Sequence, residues 1–418
     1  MQKNTALYAI GDALKTLDGY FVKRIGHTCI AALLLKHGAN INLFDKTGAS
    51  PLHVACKYGK ESTVELLLSN KANINICTKR GKSPLHIACR KGNDSIVQLL
   101  LKETNKEHLN LCSKAGTSPL YEACKYGHSR SVEHLLNNGA NINLCNKKRK
   151  SPLFIACEKG NDDIVNVLLW NNADCNLCSK TGESPIFEAC KKGYERIVLY
   201  LLTYNSDINL CAQNGKSPLY IACQNGFERT VKLLLSNRAD INICSTMGES
   251  PLHIACQRGY HNIVYILLNE TNDAKVNLCS NSGASSLYTA CQYGHASIVK
   301  CLLTNGAVIN IREKTGKSPL HIASQNGHES IVKMLLNKGA NINLCSETEG
   351  TPLYVACQNG HNSTVELLLT HEADTNLCAA KGESPLYAAC QNGHDRIVQL
   401  LLNKGADINI CAENDIGF

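Results

Sequence analysis

A nine-residue phrase, Gly-Lys-Ser-Pro-Leu-His-Ile-Ala-Cys at residues 81–89, recurs with small changes so that the chain holds eleven copies. Successive copies are 33 residues apart, except for two spacings of 35 residues. A strict period of this length predicts a stack of small repeated units rather than one globular core. The Ser-Pro-Leu positions or their equivalents begin at Ser50, Ser83, Ser118, Ser151, Ser184, Ser217, Ser250, Ser285, Ser318, Thr351 and Ser384.

The first copy shows why the phrase forms helices. Ser50 is a favourable N-cap, and Pro51 suits the first helical position, where no N–H is needed. Gly59 predicts a left-handed end to this short helix. A second apolar helix follows, and we expect residues 73–76 after it to be extended. Helices this short are marginal alone in water, so each unit must bury its apolar face against the next.

The period, the Ser-Pro-Leu-His/Tyr-x-Ala-Cys helix start and the Ile-Val-x-x-Leu-Leu second helix resemble ankyrin repeats, whose phrase is Thr-Pro-Leu-His-x-Ala. The resemblance covers roughly residues 36–411. It implies an all-α α-solenoid of helix-turn-helix repeats with short β-hairpin-like fingers. We expect residues 1–44 to form a degenerate N-terminal capping repeat, residues 45–411 to form eleven repeats in one continuous solenoid, and residues 412–418 to be a C-terminal tail.

The 23 cysteines follow the repeat, because ten come after the first-helix Ala and ten close the finger. Equivalent positions should lie one layer apart, ~8–10 Å, which exceeds the ~7 Å reach of a disulfide. Cys175 and Cys178 form the only Cys-x-x-Cys, and their side chains should point to opposite faces. We therefore expect reduced thiols, no metal and a reducing compartment, the cytoplasm or alternatively the nucleus.

No motif in the chain carries catalytic chemistry. The Gly-Lys-Ser triplets, such as residues 81–83, belong to the repeat turn and lack the upstream Gly of a phosphate-binding loop. His and Cys recur once per repeat, as scaffold residues do. No apolar run approaches the ~20 residues that span a bilayer. We therefore expect a non-enzymatic protein without cofactor or membrane span.

The resemblance also implies which residues contact a partner. In ankyrin structures five positions per repeat line a concave face: two after the first turn residue, one after the turn Gly and two after the first-helix Ala-Cys. In residues 45–211 these positions hold sixteen Lys or Arg against two acids, Glu158 and Glu183. The predicted binding residues of this basic half are Lys46, Lys57, Tyr58, Lys79, Arg80, Lys82, Arg90, Lys91, Lys114, Lys125, Tyr126, Lys147, Lys148, Lys150, Lys159, Lys180, Lys191 and Lys192.

Residues 212–411 form a neutral half that is rich in Gln and Asn. The same positions there hold five basic and three acidic residues, and the residue after Ala-Cys (Ala-Ser once) is always Gln. The predicted binding residues of this half are Gln224, Asn225, Gln257, Arg258, Gln292, Tyr293, Gln325, Asn326, Gln358, Asn359, Gln391 and Asn392.

A concave surface of one sign favours a groove for an acidic protein, since it focuses potential and speeds encounter. The alternative is a solvated basic face without function. Nucleic acid is less favoured, because the cations are mostly Lys and few aromatic residues lie among them. The sequence thus predicts a protein-binding scaffold or adaptor. Two alternatives are the targeting region of a larger signalling protein (a ubiquitin ligase, kinase or channel) and a polyanion-binding array.

The last repeat lacks the polar outer face expected of a solenoid cap. Its second helix, around residues 397–402, is as apolar as internal copies. We expect a truncated or split array whose last repeat has the weakest amide-exchange protection. We also expect a monomer, with end-to-end association as the alternative.

Overall fold

The computed structural model describes residues 26–269 and 275–410 of the chain. The predictions for residues 1–25 and for the C-terminal tail lie outside the described residues. The chain divides into two compact units, Met1–Gln213 (unit 1) and Asn214–Phe418 (unit 2). This boundary falls two residues from the predicted change between the basic and neutral halves. The single continuous solenoid stays a prediction.

The described part of unit 1 contains five complete helix pairs, preceded by one helix and interrupted by one extra turn. The helices are α1 (Gly26–Lys36), α2 (Pro51–Tyr58), α3 (Glu61–Ser69), α4 (Pro84–Lys91), α5 (Asp94–Glu103), α6 (Lys106–Leu109), α7 (Pro119–Tyr126), α8 (Ser129–Asn137), α9 (Pro152–Lys159), α10 (Asp162–Trp170), α11 (Pro185–Lys192) and α12 (Glu195–Thr203).

The described part of unit 2 contains six helix pairs. They are α13 (Pro218–Asn225), α14 (Glu228–Ser236), α15 (Pro251–Arg258), α16 (His261–Asn269), α17 (Ser286–Gln292), α18 (Ala296–Thr304), α19 (Pro319–Gln325), α20 (Glu329–Asn337), α21 (Pro352–Gln358), α22 (Asn362–Thr370), α23 (Pro385–Gln391) and α24 (Asp395–Asn403).

The helices of each unit pack in two layers. In unit 1 the first helices contact one another in the order α2, α4, α7, α9 and α11, and the second helices in the order α1, α3, α5, α8, α10 and α12. Unit 2 repeats this pattern with α13, α15, α17, α19, α21 and α23 in one layer and the even-numbered helices in the other. The predicted all-helical repeat array is confirmed, and α1 packs in the layer of second helices against α3.

The repeated phrase fixes both ends of the first helix. In α4 the Ser83 hydroxyl accepts from the His86 N–H at 3.4 Å, and the His86 Nδ1 accepts from the Ser83 N–H at 3.2 Å. Pro84 fills the first helical position, and Gly92 closes the helix at φ 69°. These contacts satisfy N–H groups that a helix start otherwise leaves unpaired.

Most second helices also stop on a left-handed residue, but not always on glycine. Gly139 takes φ 83° there, whereas Lys71, Asn172 and Arg238 take φ 59°, 60° and 63° at the equivalent site. Left-handed backbone strains residues that carry a Cβ, so these repeats depend on tertiary packing to hold the turn. In one finger the left-handed turn residue is shifted by one position to Gly350, which takes φ 68°.

The fingers are tight turns, and no strand forms in the described residues beyond two isolated bridges, Cys279 with Ser285 and Ser346 with Gly350. The expectation of an extended segment at residues 73–76 was wrong. A turn lies at residues 74–75, where the Asn75 N–H donates to the Asn73 Oδ1 at 2.9 Å. Asparagine side chains form such local turns readily.

The core lies between the two helix layers and includes the first-helix cysteines. Nine of these ten, such as Cys124 and Cys223, are fully buried, as small apolar residues would be. Cys390 in α23 is the exception and is exposed. Within the described residues, no later first helix packs on α23. The Cys390 thiol therefore lacks the cover that buries its counterparts.

A histidine or tyrosine side chain ties several of the first helices to the next finger. His53 Nε2 lies 2.9 Å from the Lys82 carbonyl oxygen, and His86 and His321 make the same contact with Thr117 and Gly350. Where tyrosine replaces histidine, as at Tyr220, its hydroxyl donates to the Glu249 carboxylate at 2.9 Å. Histidine at this position therefore bonds to a main-chain carbonyl, whereas Tyr121, Tyr220 and Tyr354 each bond to a side chain of the neighbouring repeat.

Candidate partner-binding groove

A groove of about 540 Å³ lies between the fingers and the first helices of the first two complete repeats in unit 1. Residues 45–49 and 78–80 of the fingers form one wall, and α2 and α4 form the other. Seven of the predicted binding residues line it: Lys46, Lys57, Tyr58, Lys79, Arg80, Lys82 and Arg90.

The finger turns hold two of these cations at the rim. The Gly81 N–H donates to the Thr78 carbonyl at 2.7 Å, so Lys79 and Arg80 occupy the corners of a tight turn, and both are exposed. Adjacent fingers are bonded to each other, since the Lys79 N–H donates to the Thr47 carbonyl at 2.7 Å. A Cβ on Gly81 would lie 2.8 Å from the Lys114 nitrogen. Glycine therefore fits best where these fingers meet, although Arg149 takes φ 59° at the equivalent position of a later finger.

The first-helix ends contribute cations that stack on tyrosine rings. The Arg90 guanidinium lies 5.2 Å from the centre of the Tyr126 ring, and Lys125 lies 5.4 Å from the same centre. Lys57 Nζ lies 5.3 Å from the centre of the Tyr58 ring. These contacts orient the cations without neutralising them.

Three predicted binding lysines are instead engaged in ion pairs within the array. Lys82 Nζ contacts Glu122 at 3.0 Å, and Lys150 contacts Glu158. Lys191 lies 3.2 Å from both Glu183 and Glu188. The repeat pattern alone does not distinguish these lysines from the other cations, and neither Glu122 nor Glu188 was predicted as a partner.

The carboxylates of Glu188 and Glu183 stabilise the charged form of Lys191. Burial alone would lower the pKa of Lys191, but the two carboxylates outweigh it and raise that pKa above its usual value. Glu122 and Glu188 are both buried, and they stand where most repeats place Ile or Val. That replacement was the sequence signal for an internal partner.

The remaining predicted cations of unit 1 stay exposed or half-buried. Lys125 is half-buried, and Lys46, Lys57, Lys79, Arg80, Arg90, Lys91, Lys114, Lys147, Lys148, Lys159, Lys180 and Lys192 are exposed. Unit 1 carries 28 Lys and Arg against 18 Asp and Glu, a formal net charge of +10. Unit 2 carries 15 against 17, a net charge of −2. The excess of positive charge therefore lies in unit 1.

The predicted binding residues of unit 2 form a layer of amides that bond mostly within the array. Gln224 and Gln325 accept from Lys216 and Lys317 at 2.9 and 3.1 Å. The Gln257 amide donates to the Tyr293 hydroxyl at 3.1 Å. The Asn326, Asn359 and Asn392 amides donate to main-chain carbonyls of Gln292, Val355 and Ala388. Asn225, Arg258, Gln358 and Gln391 lie on the same first-helix ends and are exposed.

The buried thiols and imidazoles are held in their neutral forms. Burial raises the pKa of the Cys124 and Cys223 thiols, so they are protonated at neutral pH. Burial lowers the pKa of His86 and of His321 to about 4. Within the described ranges, no three His, Cys, Asp or Glu side chains come together as a metal site. Nor does any helix there combine the length and apolarity needed to cross a membrane.

Comparison with known families defines the class of the array. A model described as ankyrin repeats in three copies matches residues 62–146, 104–179, 120–210, 153–244, 186–278, 252–346 and 320–411. A second model, ankyrin repeats in many copies, matches residues 34–87. The chain belongs to the ankyrin repeat family. Ankyrin repeats are generally protein–protein interaction modules and generally non-enzymatic. A comparison with curated proteins found no match.

Proposed function

We propose that this protein is an interaction scaffold or adaptor that binds an acidic segment of a partner protein along the basic surface of unit 1. The observation that carries the proposal is the cluster of Lys46, Lys79, Arg80 and Arg90 around one groove. These four side chains are exposed, and none has a carboxylate within salt-bridge distance in the described part of the chain. A positive groove steers acidic partners and raises the association rate.

The chemistry of the surface favours a protein over a nucleic acid. Most of its cations are lysines, and the aromatic residues among its predicted binding residues are Tyr58 and Tyr126, whose rings are exposed. Both rings already stack on cations of the array, so they are not open platforms for bases. We further propose a role in a signalling assembly in a reducing compartment, the cytoplasm or nucleus, which the many unpaired thiols support.

Comparative affinity capture tests the proposed function. The full chain is compared with a groove variant, Lys46→Gln, Lys79→Gln and Arg80→Gln, and with an outer variant, Lys102→Gln, Lys106→Gln and Arg130→Gln. Both triple variants remove three exposed cations from unit 1, so they have the same net charge. We expect acid-rich proteins that salt elutes to be captured by the wild type and the outer variant only. Capture of the same proteins by all three would contradict the proposal.

A polyanion-binding array is the competing outcome of this capture. Polyphosphate or nucleic acid would bind through the same cations, with a steep dependence on salt. Nuclease and phosphatase treatment of the lysate separates the cases, since capture of an acid-rich protein survives both treatments. Loss of capture after either treatment would indicate that the ligand is a polyanion and not an acidic protein.

A further inference from the structure

The floor of the groove in unit 1 is apolar, unlike its rim. Val54 of α2 and Ile87 of α4 line it and are partly exposed. The same helix position is buried at Ile155 and Ile254, which are 3% and 4% exposed. The first two complete repeats therefore open an apolar site at a position that these later repeats close.

Cations surround this apolar floor on two sides. Lys46, Lys79 and Arg80 approach from the fingers, and Lys57 and Arg90 approach from the helix ends. A ligand that fits both parts must combine an apolar group with negative charge.

The other polar groups of the lining are already engaged. Asp45 is the only carboxylate there, and it accepts from the Thr47 and Ala49 N–H groups at 2.8 and 2.9 Å. His53 is tied to the Lys82 carbonyl, and burial lowers its pKa. Asp45 therefore offsets one charge of the rim, His53 offsets none, and the cations of the lining remain in excess.

We propose that this groove is an anchor pocket for one leucine- or phenylalanine-sized side chain in an extended acidic segment. This inference rests on the proposed function and names the motif that the basic surface reads. A volume of about 540 Å³ is in the range of pockets that enclose small ligands, ~300–1,000 Å³. Burying the apolar side chain on Val54 and Ile87 contributes affinity that charge alone does not.

The spacing of the repeats fits an extended peptide. Neighbouring helices pack ~8–10 Å apart, and an extended chain rises ~3.3 Å per residue. About three residues therefore span one repeat, so acids on both sides of the anchor reach the fingers of both repeats. A polyphosphate could pair with the cations but would leave the apolar floor without a partner, and the peptide is therefore the better fit.

Two labelled peptides test the anchor on the full chain. One has a central leucine flanked by four glutamates on each side, and the other has serine in place of leucine. We expect the wild type to bind the leucine peptide roughly ten- to a hundredfold more tightly, as for burial of one aliphatic side chain. Both affinities should fall as salt rises.

Val54→Gln with Ile87→Gln is the matched variant, because Glu122 and Glu188 show that this helix position accepts a long polar side chain. We expect it to lose most of the leucine preference and to keep the affinity for the serine peptide. Its thermal unfolding, compared with that of the wild type, checks that it folds.

The outcomes separate this inference from the proposed function. If the wild type binds both peptides equally and in a salt-dependent way, the anchor is wrong and the acidic surface survives. If the wild type binds neither peptide, both the anchor pocket and the proposed function are wrong. A third outcome is that both peptides bind equally weakly and inositol hexakisphosphate displaces them. This outcome would also contradict the anchor and would indicate that the cations bind polyphosphate.

Discussion

The Lys82 ammonium lies 3.0 Å from the buried Glu122 carboxylate and joins the finger of one repeat to the first helix of the next. The Thr117 hydroxyl donates to the same carboxylate oxygen at 2.8 Å. Glu122 is only 3% exposed, so these two partners take the place of solvent around its carboxylate. Lys82 is therefore part of the scaffold, although its sequence position marks it as a binding residue.

Removal of Lys82 should destabilise the fold. We expect Lys82→Gln to lower the free energy of unfolding by about 1–3 kcal/mol, because it leaves a buried carboxylate without its cation. Lys79→Gln is the control, because Lys79 is exposed. It should change the free energy of unfolding by less than about 0.5 kcal/mol. Urea unfolding measures both.

The double variant Lys82→Gln with Glu122→Ile completes a thermodynamic cycle for this pair. Isoleucine occupies the equivalent position at Ile155, so it should pack there. We expect it to recover most of the lost stability. A loss for the double variant that equals the sum of the two single losses would show that the residues do not interact.

Acid should destabilise the array through its buried histidines. Burial lowers the pKa of His86 and His321 to about 4, below their unfolded value. The unfolded chain then binds more protons, so stability is complete above about pH 6.5 and is lost as pH falls toward 4. We expect each histidine to account for about 2 kcal/mol of the loss between pH 7 and 5.

Phenylalanine variants isolate this effect from other titrating groups. Phe154 and Phe187 occupy the same helix position in other repeats, so His86→Phe and His321→Phe should fold. We expect the double variant to show a smaller decrease in stability between pH 7 and 5 in urea unfolding. Equal decreases in wild type and variant would show that these histidines do not carry the pH dependence.

Thiol reactivity should follow position in the repeat. We expect Cys390 and the finger thiols Cys77 and Cys345 to be alkylated in the native protein, because they are exposed. Cys124 and Cys223 should react only after unfolding, because burial protects them and raises the pKa of each thiol. Mass spectrometry of the alkylated, unreduced protein shows which thiols have reacted. Defined disulfides, or one zinc per molecule, would contradict the prediction that all 23 cysteines are reduced and metal-free.

The finger glycines should be less replaceable than the second-helix glycines. Gly81 has φ 73° and sits against the next finger, whereas a Cβ on Gly139, at φ 83°, would meet nothing within 4 Å. We expect Gly139→Ala to destabilise by about 1–2 kcal/mol through backbone strain, and Gly81→Ala by more. Thermal unfolding ranks the two variants, and a smaller loss for Gly81→Ala would contradict the finger contact.

Local rules predicted most of the fold because the same short signals act in every repeat. Ser83 before Pro84 and Gly92 after the helix fix α4, and identical signals fix its counterparts. The additional turn α6 was not predicted. Asn105 caps it in one of the two 35-residue units, where the chain departs from the repeated phrase.

The candidate site was less predictable, because partners in adjacent repeats are more than 30 residues apart in sequence. The pattern placed Lys79, Arg80 and Lys82 together, but only the structure distinguishes the exposed pair from the lysine bound to Glu122. Likewise, the periodicity that buries Ile155 gave no reason to expect Ile87 to be accessible.

The central claim, that exposed cations of the fingers in unit 1 bind an acidic segment, is tested most directly by a titration of the leucine-containing glutamate peptide. It is titrated into wild type, groove variant and outer variant between about 50 and 200 mM salt, over which screening increases. Each lost contact should contribute roughly 0.2–1 kcal/mol, so we expect the groove variant to bind about three- to a hundredfold more weakly at low salt. The outer variant should match the wild type. Equal weakening of both variants would show that net charge, and not the groove, attracts the ligand.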